Sequence, residues 1–129
     1  MATSRISSRT LFHIVKDVGA LAVTADGRKL IGAELSKAIK RSKIGEAMLD
    51  KVRIMYTYFR DPAEPIKPKL LIGGALLYLI MPNDLIPDWT PVIGFTDDLT
   101  VIMLIWRHLG DVLRNYEDRR VARQITEAV

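Results

Sequence analysis

Apolar side chains recur along this chain at intervals of three and four, the spacing that gathers them on one face of a helix. Leu11, Ile14, Val15, Val18, Leu21 and Ala22 make the first such face. Ser7 or Ser8 stands ahead of it as an N-cap, where a hydroxyl accepts an otherwise unpaired backbone N–H. Asp26-Gly27 predicts the break. A second helix starts there, with Leu30, Ile31, Leu35, Ala38 and Ile39 as its stripe. Gly45 marks the next weak point, and a third helix carries Ile44, Met48, Val52, Met55 and Phe59. Asp61-Pro62 stops it, because a residue before proline avoids helical geometry. Pro65 and Pro68 predict an open, stiff connection.

From residue 69 to 81 the pattern changes. Leu-Leu-Ile-Gly-Gly-Ala-Leu-Leu-Tyr-Leu-Ile-Met is apolar all round, and such a helix is buried in a core or in lipid. Pro82 ends it. A loop follows with Pro87, Pro91, Gly94 and the acids Asp84, Asp88, Asp97 and Asp98. The last long helix starts around Asp97 or Asp98, begins apolar through Leu99, Val101, Ile102, Leu104 and Trp106, and becomes amphipathic. The apolar arms 69–81 and 98–109 are expected to pack as an antiparallel pair, with Gly73 and Gly74 permitting close approach. The second arm should run on into the tail as one helix. No hairpin signal or repeat occurs. The expectation is an all-α single domain over 1–129, built of four to six helices. It divides into basic amphipathic helices (1–60), an apolar helical hairpin with a Pro/Asp-rich loop (61–109) and an amphipathic helical tail (110–129).

Charge sharpens this division. The chain of 129 residues has a net charge of +4, yet residues 1–60 alone hold 12 basic and 5 acidic side chains. Residues 70–106 hold four Asp and no Lys or Arg. A basic exterior favours anionic partners. With no cysteine, disulfides, thiolate metal sites and cysteine nucleophiles are excluded. At 49% hydrophobic there is material for a real core. The polar N-terminus lacks the unbroken apolar stretch of a secretory signal, so a cytoplasmic origin is expected.

Tyr58-Phe-Arg-Asp-Pro62, the apolar arm, and then Pro82, Asp84, Leu85, Ile86, Pro87, Asp88, Pro91, Gly94, Asp97 and Asp98 form a dense pattern over residues 56–106. It resembles the YkvA-like family, built on a short domain of unknown function, DUF1232. Met81 stands where that family usually has serine. The resemblance implies a small helical protein, often assigned to membranes, and no established reaction.

The loop acids admit three readings. Asp, Asn and Thr are favoured helix caps, so Asn83 or Asp84 can cap a short turn and Thr96 or Asp97 the last helix, with Asp98 then in its positive first turn. Asp84, Asp88, Asp97 and Asp98 also supply enough oxygens for a hard cation, Mg²⁺ or Ca²⁺. Their spacing is not that of an EF-hand. Salt bridges to the basic helices are the third.

Catalysis has little to stand on. His13 and His108 are far apart in sequence, each reads as a helix-face residue, and no nucleophile elbow, phosphate loop or metalloprotease motif occurs. The expectation is a protein without enzymatic activity and without a bound cofactor. The stretch 70–81 would reach only about 18 Å as a helix, against a bilayer core of about 30 Å. Two functional classes follow. One is a membrane-associated protein on the cytoplasmic side, holding an anionic surface through Lys37, Lys40, Arg41 and Lys43, with Trp89, Trp106 and the tyrosines at headgroup level. The other is a soluble interaction or adaptor domain, cytoplasmic, whose hairpin is simply its core and whose partner is a protein. Nucleic acid is a weaker third partner, since no recognised motif accompanies the basic balance. Self-association is left open.

Overall fold

A computed structural model describes residues 8–42, 44–80 and 98–128. Six helices make up these segments: α1 (Ser8–Ala22), α2 (Ala25–Ser42), α3 (Glu46–Arg60), α4 (Ile66–Ile80), α5 (Asp98–His108) and α6 (Gly110–Ala128). Among the described residues there is no strand, and the fold is all-α as expected.

The break between α1 and α2 falls earlier than Asp26-Gly27. Thr24 makes it: its hydroxyl donates to the Leu21 carbonyl at 2.6 Å and accepts the Gly27 N–H at 3.0 Å. Asp26 and Gly27 therefore belong to the first turn of α2, where an acid favours the positive end of the helix dipole. Gly45 does act as a break. It is the extended residue ahead of α3, with φ −75° and ψ 169°.

Helix α4 starts at Ile66, three residues before the predicted start. Pro68 lies inside its first turn rather than in the connection, because the first backbone N–H groups of a helix have no partner to lose. All residues from 72 to 80 are buried. Helices α1, α2, α3 and α5 pack around α4, with α1 making the most extensive contact. Ile72, Leu76, Leu77 and Leu79 meet Val15, Ile31, Val52, Met55, Val101 and Ile105 in one core. From residue 72 to 80, the stretch that is apolar on every side is thus covered by protein on every side. At about 1.5–3 kcal/mol per fully buried aliphatic side chain, this burial is the main stabilising term of the fold.

The glycines of α4 serve a different neighbour from the one expected. A Cβ on Gly74 would strike the Val15 carbonyl of α1, and one on Gly19 of α1 would strike the Leu70 carbonyl of α4. A Cβ on Gly73 would meet Ala22 and Phe59, each at 2.7 Å. Close approach therefore joins α4 to α1, backbone on backbone, and not to the second apolar arm. The far end of α4 is held by Arg41 of α2, whose guanidinium donates to the Leu79 and Ile80 carbonyls at 3.2 and 3.0 Å. These are among the last carbonyls of the helix, which have no partner within it.

The second arm and the tail are two helices, not one. A turn residue, Leu109, separates α5 from α6, although the Leu109 and Leu113 N–H groups still donate to the Ile105 and Leu109 carbonyls at 2.9 Å each. Asp98 is the first residue of α5, and Asp84, Asp88 and Asp97, with the rest of the Pro/Asp-rich loop, lie outside the described residues. Among the described residues no helix is both long and apolar enough to cross a membrane.

Candidate functional site

Three of the cavities among the described residues differ in chemistry. The largest of these three, about 830 Å³, lies between α1, the start of α4 and the end of α5. That volume is in the range of small-molecule sites. Its apolar lining comes from Phe12, Ile66, Leu70 and Leu71. Its polar lining is entirely basic: Arg9, His13 and Lys16 from α1, Lys67 from α4 and His108 from α5.

Local sequence explains each contribution. Phe12, His13 and Lys16 sit at the edge of the apolar stripe of α1, as do Ile66, Lys67, Leu70 and Leu71 on α4, so both helices turn a boundary of apolar and basic side chains toward the same opening. The Phe12 and His108 rings meet at 4.4 Å between centroids, tilted by 47°, which ties α5 to α1 at the pocket. The first turn of α4 holds no acidic residue. Ile66 remains 48% exposed, an apolar side chain left in water at the mouth. The two histidines, read in sequence as unrelated helix-face residues, are brought to one cavity.

The other two cavities, about 500 and 520 Å³, flank Thr57 and Arg120 where α3 meets α6. Their linings mix Asp50, Asp61 and Glu117 with Arg53, Arg60 and Arg120. Between them runs a polar latch. The Tyr116 hydroxyl donates to Asp61 Oδ2 at 2.9 Å, and the Ala63 N–H donates to Asp61 Oδ1 at 3.0 Å. The Lys69 ammonium, buried, donates to the Asp61 carbonyl. Arg119 pairs with Glu64 at 3.1 Å and lies 5.7 Å over the Tyr116 ring, which Tyr58 meets edge-on at 5.0 Å. The N–H of Ala63, then the Tyr116 hydroxyl, hold the Asp61 carboxyl below the usual aspartate range. Burial, then the bond to Asp61, pushes the Tyr116 hydroxyl up to about 12. Burial also raises Tyr58. The latch pins α6 to the joint between α3 and α4. Its groups satisfy one another, which is what a structural contact does.

The expected surface features are partly redistributed. Of the residues Lys37, Lys40, Arg41 and Lys43, Lys37 pairs with Glu34 at 3.4 Å, Arg41 caps α4, and Lys43 lies outside the described residues. Tyr58, Tyr78 and Tyr116 are buried, not at a headgroup level. Trp106 is half-buried, with the Lys51 ammonium 5.5 Å from its ring, and Trp89 lies outside the described residues. The proposed cation ligands Asp84, Asp88 and Asp97 also lie outside them, and Asp98 is placed only as the first residue of α5.

The family model described as "Protein of unknown function (DUF1232)" matches residues 69–104, from the early part of α4 into α5. A protein of Bacillus subtilis (strain 168) described as "Uncharacterized membrane protein YkvA" is 34% identical over 98 residues, covering 71% of this chain and 92% of that protein. No solved structure matches the chain.

Proposed function

The chain belongs to the YkvA-like DUF1232 family, and from that premise we propose that it is a non-catalytic helical interaction domain, one that keeps its most apolar segment as its own core and meets an anionic partner through its basic outer face. The observation that carries this reading is the burial of residues 72–80 by four neighbouring helices. An apolar segment already covered by protein does not need lipid to cover it.

A second reading, attachment to an anionic membrane surface on the cytoplasmic side, is favoured by two facts. The B. subtilis relative is named as a membrane protein, and the polar lining of the cavity between α1, α4 and α5 is wholly basic. Attachment of this kind would be made from the surface, through basic side chains that each contribute about 1 kcal/mol near anionic headgroups.

Expression without detergent separates these readings from an embedded protein. The interaction-domain reading expects a monodisperse species by size exclusion and light scattering, released from cell membranes by alkaline carbonate. A protein that needs detergent and stays with the membrane in carbonate would overturn it. Salt-sensitive flotation with phosphatidylglycerol vesicles tests the second reading, and no flotation at low salt removes it.

A further inference from the structure

The pocket between α1, α4 and α5 has two chemistries in one opening. Its floor offers Phe12, Leu70 and Leu71, each half-buried, and Ile66 at the mouth. Among the described residues, every polar side chain lining it is a base and none is a carboxylate. Clustered cations that nothing in the lining neutralises repel one another and attract an anion. Apolar side chains left half in water gain by contact with an apolar occupant. A bare phosphate would use the rim and leave the floor wet. A neutral chain would use the floor and leave the cations unmatched. One occupant meets both demands.

We propose that this pocket binds a single-chain anionic amphiphile: an alkyl or acyl chain lying along the floor, headed by a carboxylate or phosphate at the Lys16–Lys67 rim. The chain end shields Ile66 and Leu70 from water. The headgroup accepts hydrogen bonds from the ammonium groups, beside the first turn of α4, which itself holds no acid. The proposal deepens the interaction-domain reading by naming a ligand class.

Calorimetric titration of the detergent-free protein, with each chain below its micellar concentration, tests it. Decanoate and decyl phosphate should bind, whereas decanol and decyltrimethylammonium should not. On the wild-type protein, affinity for the anionic chains from eight to twelve carbons should rise roughly three- to fourfold per methylene, as burial of each group implies. Lys16→Glu combined with Lys67→Glu should weaken decyl phosphate by roughly tenfold or more. Both side chains are exposed, so circular dichroism of that variant should match the wild type. Vesicles of phosphatidylglycerol, against phosphatidylcholine, assign the source. Flotation lost in the double variant means that the chain is presented by a bilayer, while binding of decyl phosphate without flotation means that it arrives as a free amphiphile.

Equal binding of decanol and decyl phosphate, no dependence on chain length, or unchanged affinity in the double variant would each overturn the proposal. The chain-length series needs no variant, so it decides the matter even if the double variant does not fold. A monodisperse protein that binds none of the chains loses this inference and keeps the interaction-domain reading. A protein that stays with the membrane in carbonate loses that reading, whatever the titration gives.

Discussion

Helix α4 is held to α1 by shape, and α6 is held to α3 by directional bonds. At the α1–α4 seam, Gly19 and Gly74 let each backbone touch the other's carbonyl. At the α3–α6 seam, Tyr116, Asp61, Arg119 and Glu64 form a set of hydrogen bonds and an ion pair at the margin of the core. The first seam tolerates no added atom at these glycines. The second tolerates some loss of contact but depends on which groups carry protons. A small bundle uses both because a buried helix has no water to satisfy it, whereas a half-exposed one does.

The largest effect is expected at the tight seam. Gly74→Leu forces a branched side chain into the Val15 backbone, which cannot rotate away, and should cost more than about 3 kcal/mol in urea unfolding, at or beyond the usual range for overpacking. Gly32→Ala is the control. It lies within α2 on the exposed side, where an added Cβ meets only the Tyr56 hydroxyl at 3.4 Å. There the gain in helix propensity should leave stability unchanged or raise it by about 0.5–1 kcal/mol. Equal losses from the two substitutions would mean that the seam is not as close as described.

An intermediate effect is expected at the latch. Tyr116→Phe removes one hydrogen bond and should cost about 1 kcal/mol near neutral pH. Its pH dependence is the sharper test. Because the folded Tyr116 hydroxyl is raised to about 12, the stability it contributes is present below pH 10 and is lost as pH rises from 10 towards 12. The variant should lose that alkaline fall, and the tyrosine absorbance transition near pH 12 with it. Asp61 works at the other end. Its carboxyl is lowered by the Ala63 N–H and then by Tyr116, so its contribution is present above the ordinary aspartate value and disappears as pH falls through the lowered one. Asp61→Asn should flatten the acid limb of a stability–pH curve.

The smallest effect is expected where the same latch reaches solvent, at Arg119, which is 55% exposed while its partner Glu64 is 10% exposed. Glu64→Gln breaks the ion pair with Arg119, whose guanidinium is largely in water, and such pairs contribute little. A small loss at low salt that vanishes at high salt is the expected outcome in thermal melts. A large, salt-insensitive loss would place Glu64 among the core contacts of the latch.

Much of this architecture was legible beforehand, for reasons that are local. Stripes such as Ile31, Leu35 and Ala38 declare a helix and its buried face because the helical repeat is fixed by backbone geometry. The segment 69–81 declared burial because it has no polar side to turn outward. Boundaries were less legible. Thr24 rather than Asp26-Gly27 made the first break, since a hydroxyl cap and a glycine are both plausible stops and only the packing of α2 on α1 selects between them. The pocket was not legible as a unit. Its basic and apolar edges were visible at Phe12–Lys16 and at Ile66–Leu71, but His108 read as an isolated residue. Asp61 read only as a helix stop, although Asp-Pro-Ala is a fair signal for the turn in which its side chain accepts the Ala63 N–H.

By itself, the sequence determined the class of structure, the segment that must be buried and the excess of positive charge outside it, because hydrophobic period and charge are properties of neighbours along the chain. Only the tertiary structure decided who buries that segment. Gly73 and Gly74 announce a close approach without naming a partner, and α1 takes it, because Gly19 offers a complementary backbone surface and Val15 and Ala22 lie against the glycines of α4. The same packing carried Arg9–Lys16, Lys67 and His108, spread over a hundred positions, to one apolar opening, since side chains meet by the geometry of helix crossing and no period along the chain encodes it.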